Sequence, residues 1–430
     1  MARYSESEKF FELANELIPL GSQTFSKSKT QYPFGVSPFF IERAEGSKVW
    51  DIDGNEYIDF VSSLAAITLG YCDRDVNHAV KNQLEKGTIF SLPSKLETEV
   101  ASLITEMVPS AEMVRFGKNG SDATSGAIRL ARAYTGKDHI ICCGYHGWHD
   151  WYIGSTTKNE GVPGEVSSLT HTFEYNDLDS LAEIISKLDG NVAAVIMEPM
   201  NVSHPEADFL KSVQSLCKQN NILFVLDETV TGFRFSKGGA GEFFDLSPDL
   251  STFGKGVANG FPLSVLAGSR KVMGRLEDVF FSFTFGGELL SLAAAKATLE
   301  KINNAPVLET ISSRGEKLKS GVEELLSKHE MEGLISISGH PSWTFLGFKD
   351  YADYSSFQIK TYFLQEVFSR GLLTLGTHNI SYSHSDDDVA KTLSIYDEVF
   401  PMIKDAVENS SLAEKLSCKP LEPLFKIRKA

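Results

Sequence analysis

Asp227 and Lys255 are the two side chains of this 430-residue chain whose types and setting suit covalent chemistry on a carbonyl compound. Residues 222–228 (ILFVLDE) form a continuous apolar run closed by two carboxylates. A run of that length after a helical pattern predicts a fully covered parallel strand, although a short buried helix shares the periodicity. As a strand it carries Asp227 to its carboxyl end, where open α/β sheets bind ligands. Lys255 stands between Gly254 and Gly256, so the backbone can come close to a ligand and the lysine gets no cover from its neighbours. A lysine able to form a Schiff base, with an acid able to keep a pyridine nitrogen protonated, is what pyridoxal phosphate chemistry requires. An aspartate that caps a turn and a solvated loop lysine account for the same two residues.

Residues 113–123 hold a second candidate. A short strand feeds a Gly120-Ser121 turn, and the turn opens a helix that stops at Gly136. Free N–H groups at a helix start make an anion site, which Gly120 leaves open and Ser121 can hydrogen-bond; a plain capped helix also fits. A Walker motif is absent, because Gly117-Lys118 lacks the earlier glycine and a following Ser or Thr. After an apolar strand at 139–143 come Tyr145, His146, Trp148, His149, Asp150 and Trp151. These aromatics could stack on a flat ring. The alternative, a metal held by His146, His149 and Asp150, meets an interrupting Gly147 and has no further ligand cluster. Asp51, Asp53 and Asn55 imitate a calcium loop, but Gly54 comes too early and no glutamate closes the loop. No metal is expected.

These sites need a large scaffold, and the composition supplies one. Hydrophobic residues at 42% and aromatics at 11% exclude a disordered or fibrous chain, and the length exceeds one ordinary domain. With 57 acidic and 41 basic side chains, the net charge of -16 argues against a broad nucleic-acid or anionic-membrane surface. Five scattered cysteines without a CxxC pair give neither a disulfide framework nor a zinc signature. The polar start lacks a signal-peptide core and no stretch approaches a membrane span, so a cytoplasmic protein is expected.

Taken in order, helical spacing covers 7–17, an irregular Ser/Lys/Thr/Gln-rich loop follows, and strands at 39–43 and 48–51 lead through an Asp53-Gly54 turn to 57–60. Helical patterns at 75–86 and 96–107 precede alternating strands and helices from about 90 to 270, the signature of a mostly parallel sheet. Strand 191–197 ends in Glu198-Pro199, and Thr284 sits in a Gly-closed turn before an alanine-rich helix. The last hundred or so residues change character, with strands at 334–337, 343–348 and 371–375 among helices at 312–326, 355–370 and 386–400. Asp386-Asp387-Asp388 suits the start of the last of these helices, and the basic tail after Lys419 reads as solvated.

Phe40-Ile41-Glu42-Arg43-Ala44, Asp53 to Asp59, Arg129 to Gly136, Leu226-Asp227-Glu228, Thr231-Gly232-Phe233-Arg234, Pro248-Asp249 and Phe253-Gly254-Lys255 form a specific ordered set. In this the chain resembles the class III, fold type I pyridoxal phosphate aminotransferases, and within them the glutamate-1-semialdehyde aminomutase branch. The resemblance implies an α/β fold: a large domain at 66–310 with a mostly parallel seven-stranded type of sheet, an N-terminal segment at 1–65 and a C-terminal α+β domain at 311–430. It implies Lys255 as the Schiff-base lysine, Asp227 as partner of the pyridine nitrogen, and Asn119-Gly120-Ser121 at the phosphate. Tyr145 takes the place of the stacking aromatic with His146 beside it, Glu198 that of a nearby acid, and Thr284 that of a residue reaching the neighbouring subunit's phosphate in a homodimer. Thr229 stands where a valine is common.

The substrate half departs from the branch: Lys27 replaces an arginine, Leu64 a tryptophan, and the late acidic pocket residue has no counterpart between Gly371 and Ser383. Lysine cannot reproduce the planar two-pronged grip of arginine on a carboxylate. The expectation is a transaminase passing an amino group from a small-molecule donor to a carbonyl acceptor. Hydroxyl-rich loops at 22–28 and 377–382 suggest a keto-sugar or another hydroxylated acceptor. Aminomutase chemistry within one molecule and a catalytically silent scaffold are the alternatives.

Overall fold

The computed structural model describes residues 3–423, which divide into two units: residues 74–308, and residues 3–73 with 309–423. In chain order the strands are β1 (Ile41–Glu45), β2 (Lys48–Asp51) and β3 (Glu56–Asp59), then β4 (Met113–Gly117), β5 (His139–Cys143), β6 (Thr170–Thr172), β7 (Val192–Met197), β8 (Leu223–Glu228), β9 (Leu250–Phe253) and β10 (Ser264–Gly268). β11 (Ile335–His340), β12 (Trp343–Phe348), β13 (Leu372–Leu373) and β14 (Thr377–Asn379) complete the set.

The middle unit is built on a seven-stranded sheet of order β4-β10-β9-β8-β7-β5-β6. Only β10 runs against its neighbours; the pairs β5–β6, β5–β7, β7–β8 and β8–β9 are parallel. All six residues of β8 are buried because both faces of the sheet are covered. Leu223 and Val225 pack with Ala127, Leu130 and Ala131 of the helix Gly120–Thr135. Phe224 and Leu226 point the other way, onto Leu181 and Ile185 of Leu178–Lys187 and Val213 of Phe209–Gln219. That double coverage explains why this strand reads as unbroken apolar sequence instead of an alternation. Gly136, at φ 68, closes the helix Gly120–Thr135 with a left-handed cap.

The other unit joins residues 3–73 to residues 309–423. β1, β2 and β3 form an antiparallel meander, extended by β13 parallel to β3, and β11, β12 and β14 make a second, antiparallel sheet. The carboxylates that imitate a calcium loop are used locally. Asp53 accepts the N–H groups of Glu6 and Ser7, which open the helix Ser5–Leu17, while Asp51 accepts from Asn55 and the Tyr57 hydroxyl. Asp386 pairs with Lys317, and Asp388 completes a capping box with Ser385. The helix expected to stop before Pro401 runs on as Asp386–Glu408. A proline there forfeits a backbone hydrogen bond, but Ile403, Ala406 and Val407 continue the buried face and outweigh it. Most of the basic tail lies outside the described residues. Among the described residues no helix is long and apolar enough to cross a membrane.

Candidate active site

Asp227 and Glu228 close β8, and successive side chains of a strand leave opposite faces. The Glu228 carboxylate accepts the N–H groups of Ala240 and Gly241 and the Thr231 hydroxyl, fastening the loop that follows β8. Burial pushes its carboxyl up to about 7.

Asp227 is buried and almost fully bonded. Its Oδ1 accepts three hydrogen bonds, from Thr229 N (3.1 Å), Thr229 Oγ1 (2.6 Å) and Thr252 Oγ1 (2.9 Å). Thr252 arrives there by register, since β9 runs parallel to β8 with Thr252 opposite Asp227. Oδ2 lies 2.7 Å from His146 Nδ1, and the other imidazole nitrogen, Nε2, lies 3.1 Å from the Cys143 carbonyl. A carbonyl only accepts, so Nε2 carries a hydrogen. Burial alone would raise the Asp227 carboxyl, but the His146 and Thr229 bonds outweigh it and hold the group below the usual aspartate range.

Lys255 stands one residue beyond β9, after Gly254, in a short 3-10 turn, with φ at 41. That left-handed value is uncommon for a side-chain-bearing residue and marks strain worth explaining. Burial lowers the affinity of its amine for a proton, against the pull of the Glu198 and Asp227 carboxylates. Glu198 accepts the Tyr145 N–H at 3.0 Å, and burial pushes its carboxyl up. Tyr145 is half exposed and meets Tyr152 edge to face.

Gly120 opens the helix Gly120–Thr135, and a methyl there would come within 2.9 Å of the Thr229 side chain. The same Thr229 methyl lies 3.2 Å from where a Cβ on Gly254 would stand, so the ends of β8 and β9 and the helix start converge on it. Ser121 is buried, and its Oγ accepts the Trp148 N–H at 3.2 Å. Thr284 is exposed in a turn whose Phe280 and Phe285 are 80% and 57% exposed. Lys118 and Glu288 pair at 2.9 Å and tie the end of this turn to the residue after β4.

Of the expected site residues, Gly120, Ser121, Tyr145, His146, Glu198, Asp227, Lys255 and Thr284 all belong to the middle unit, whereas Lys27 belongs to the other. His146, expected beside a ring, spends both nitrogens on Asp227 and Cys143. His149 turns instead to Ser125 Oγ, at 2.6 Å, so the two imidazoles serve different partners. Thr252 was not singled out by the sequence, since nothing but the pairing of β8 with β9 reveals it.

A buried lysine whose amine is lowered in proton affinity, an aspartate held below the usual carboxylate range and a helix start at a glycine suit an aldehyde, a pyridine nitrogen and a phosphate. The residues present therefore fit pyridoxal phosphate. The family described as aminotransferase class-III matches residues 31–394. The chain is 34% identical over 412 residues to the 3-aminobutyryl-CoA aminotransferase of Cloacimonas acidaminovorans, covering 94% of this chain and 98% of that protein. It is also 34% identical over 425 residues to the glutamate-1-semialdehyde 2,1-aminomutase of Archaeoglobus fulgidus, covering 92% and 99%. Among solved structures, the FumI protein of Sphingopyxis sp. MTA144 in its PLP internal aldimine form superimposes with a TM-score of 0.88 at 30% identity, covering 97% of this chain and 99% of that one. The chain belongs to the class-III aminotransferases, enzymes that depend on pyridoxal phosphate.

Proposed function

We propose that the middle unit carries out amino transfer with Lys255 as its covalent and proton-moving residue. The observation that carries this reading is the pairing of a desolvated Lys255 with an Asp227 kept ionised by His146, Thr229 and Thr252. Bound there, pyridoxal phosphate supplies an aldehyde for Schiff-base formation and a ring that accepts electrons. Lys255 would hold the aldehyde and, with its amine free, would serve as the general base and acid that moves a proton. Asp227 would keep the pyridine nitrogen protonated, Tyr145 would be the aromatic at the ring, and Glu198 would serve as a buried acid of the same unit. Gly120 and Ser121 receive the phosphate together with Thr284 of the partner subunit. The exposed phenylalanines around Thr284 support a homodimer, because an apolar turn of this kind gains by burial against a second copy. Five free thiols support a reducing, cytoplasmic location.

The amino donor and the acceptor are small molecules. The hydroxyl-rich late loop loses its force as an argument for a keto-sugar, because those groups are spent internally. His378 bonds Thr344 and Tyr396, Asn379 bonds the carbonyls of Phe60 and Val61, and Ser381 bonds His384. Intramolecular transfer remains the second reading, favoured by the aminomutase relative and opposed by Lys27 in place of arginine. Lys27 itself is proposed as a substrate contact.

A half-reaction screen tests the function. Holoenzyme should lose its yellow colour with an amine donor and regain it when a carbonyl compound is added. If no amine bleaches the protein, transamination is wrong, and if glutamate-1-semialdehyde alone is turned over, to 5-aminolevulinate, the second reading replaces the first. Mixing Lys255→Ala chains with chains carrying Thr284→Glu should restore one intact site per heterodimer. Absence of recovered activity after verified subunit exchange speaks against sharing.

A further inference from the structure

Beside β4 the middle unit holds a cavity of about 420 Å³ that none of the residues proposed for amino transfer lines. Its walls come from three places within residues 74–308: the helix Lys95–Met107, the strand β4, and the turn 281–287 that leads to the helix Leu289–Asn304. At about 30 Å³ for each water-sized group, it holds roughly fourteen non-hydrogen atoms, the bulk of an aromatic amino acid.

Two charges of opposite sign line this cavity and do not pair with each other. Arg115 leaves β4 with its Nη2 donating to the Phe281 carbonyl at 3.2 Å, so its head is held at the wall with other donors still to place. Glu97 sits in the first turn of the helix Lys95–Met107, where its Oε1 accepts the Ser94 N–H at 2.7 Å. Its carboxylate lies against Gly287, where a Cβ would stand 3.0 Å from either oxygen, so this head too is at the wall. Among the described residues neither Arg115 nor Glu97 is in an ion pair. The rest of the wall is mainly aromatic. Phe281 and Phe283 meet edge to face with ring centroids 5.4 Å apart, and Phe116 adds a third ring. A bare anion placed here meets the Glu97 carboxylate, and a bare cation meets the Arg115 guanidinium. A zwitterion answers both, and a flat apolar side chain suits the phenylalanines.

We propose that this cavity binds a free zwitterionic amino acid with an aromatic side chain, its carboxylate at Arg115, its ammonium at Glu97 and its ring against Phe281 and Phe283. The site goes beyond the amino-transfer reading and does not rest on it, since it shares no residue with Asp227, Lys255 or their partners.

The test uses holoenzyme in titration calorimetry with N,N-dimethylphenylalanine, a zwitterion whose tertiary amine cannot form a Schiff base. It binds in the high micromolar range and leaves the cofactor absorbance unchanged. 3-Phenylpropionate, which lacks the ammonium, and N,N-dimethylphenethylamine, which lacks the carboxylate, each bind about tenfold more weakly, the loss of one charge-assisted contact. Glu97→Gln weakens the zwitterion about tenfold as well, and because glutamine still accepts the Ser94 N–H the helix start survives, which separates lost charge from lost fold. Arg115→Gln weakens it to a similar degree. The two variants also select differently: Glu97→Gln closes the gap between the zwitterion and 3-phenylpropionate, whereas Arg115→Gln closes the gap between the zwitterion and the amine. The proposal is overturned if the zwitterion does not bind, if it binds no better than either analogue, or if Glu97→Gln leaves its affinity unchanged. It is overturned too if the probe is not taken up and Arg115→Gln splits the particle in light scattering, which makes the cavity a contact between subunits.

Discussion

The end of β8 and the turn after β3 both carry a buried aspartate whose oxygens are taken by nearby donors, yet the two are used differently. Asp227 is bonded so that it stays ionised: its own backbone turn, a register partner and a histidine all donate to it. Asp59 is bonded so that the backbone stays strained: two of its donors are N–H groups at the edge of a turn, Ser62 to Ala65, whose φ values all lie in the left-handed region. Burial raises the Asp59 carboxyl despite those bonds, whereas Asp227 is held low. The lesson is that hydrogen-bond number alone does not decide the direction in which a buried acid's proton affinity moves. The imidazole facing Asp227 separates the two, and a tyrosine hydroxyl takes that place at Asp59.

The largest effect expected from breaking the comparison comes from Lys255→Ala, which should abolish turnover and leave no borohydride-reducible cofactor adduct on the chain, as read by mass spectrometry. A persisting lysine adduct would refute the assignment. Asp227→Asn should fold, retain cofactor in part and lose turnover by several orders of magnitude, each decade costing about 1.4 kcal/mol of barrier. Near-normal rates would mean that the charge held so carefully is not used.

Next in size is Asn379→Ala in the other unit. It leaves the Phe60 and Val61 carbonyls without their side-chain donor and should destabilise the fold by about 2 kcal/mol in a chemical melt, with the cofactor absorbance of the folded protein unchanged. The histidines of that unit sharpen the contrast through pH. Burial lowers His384 to about 4 and His378 to about 3, so the folded state binds fewer protons than the unfolded chain. Their neutral forms are tolerated above the ordinary histidine value near 6.5. Stability should then fall as pH drops from 6.5 toward 4, by about 1.4 kcal/mol per pH unit for each histidine. Melts that are flat across this window would show that the two sites admit water. The smallest effect is that of Thr252→Val, which removes one of three donors to Asp227 Oδ1. The folded pKa of Asp227 rises, so the acid limb of the rate profile should move to higher pH, with a loss of roughly tenfold at most.

The places of Asp227, Lys255 and Gly120 in the fold were legible in the sequence because each sits at a strand end or helix start with its own local signal: an apolar run closed by Asp227, glycines around Lys255, a Gly-Ser helix start at Gly120. Backbone geometry within a few residues determines where such groups point. The roles of His146 and Thr252 were not legible, because they depend on which strands lie side by side and in what register, and no local pattern encodes that. The loop at 377–382 misled for the same reason. Hydroxyls and amides look solvent-bound in sequence, while in the fold they satisfy carbonyls and rings brought from residues 60, 61, 344, 384 and 396. The left-handed turn was hidden altogether. Nothing in Ser62-Ser63-Leu64-Ala65 marks it, since the conformation is imposed by Asp59 and Asn379, one next to it and one more than three hundred residues away. Local chemistry was therefore set by the sequence alone, and long-range hydrogen bonding, which needs the chain brought together, was decided only by the tertiary structure.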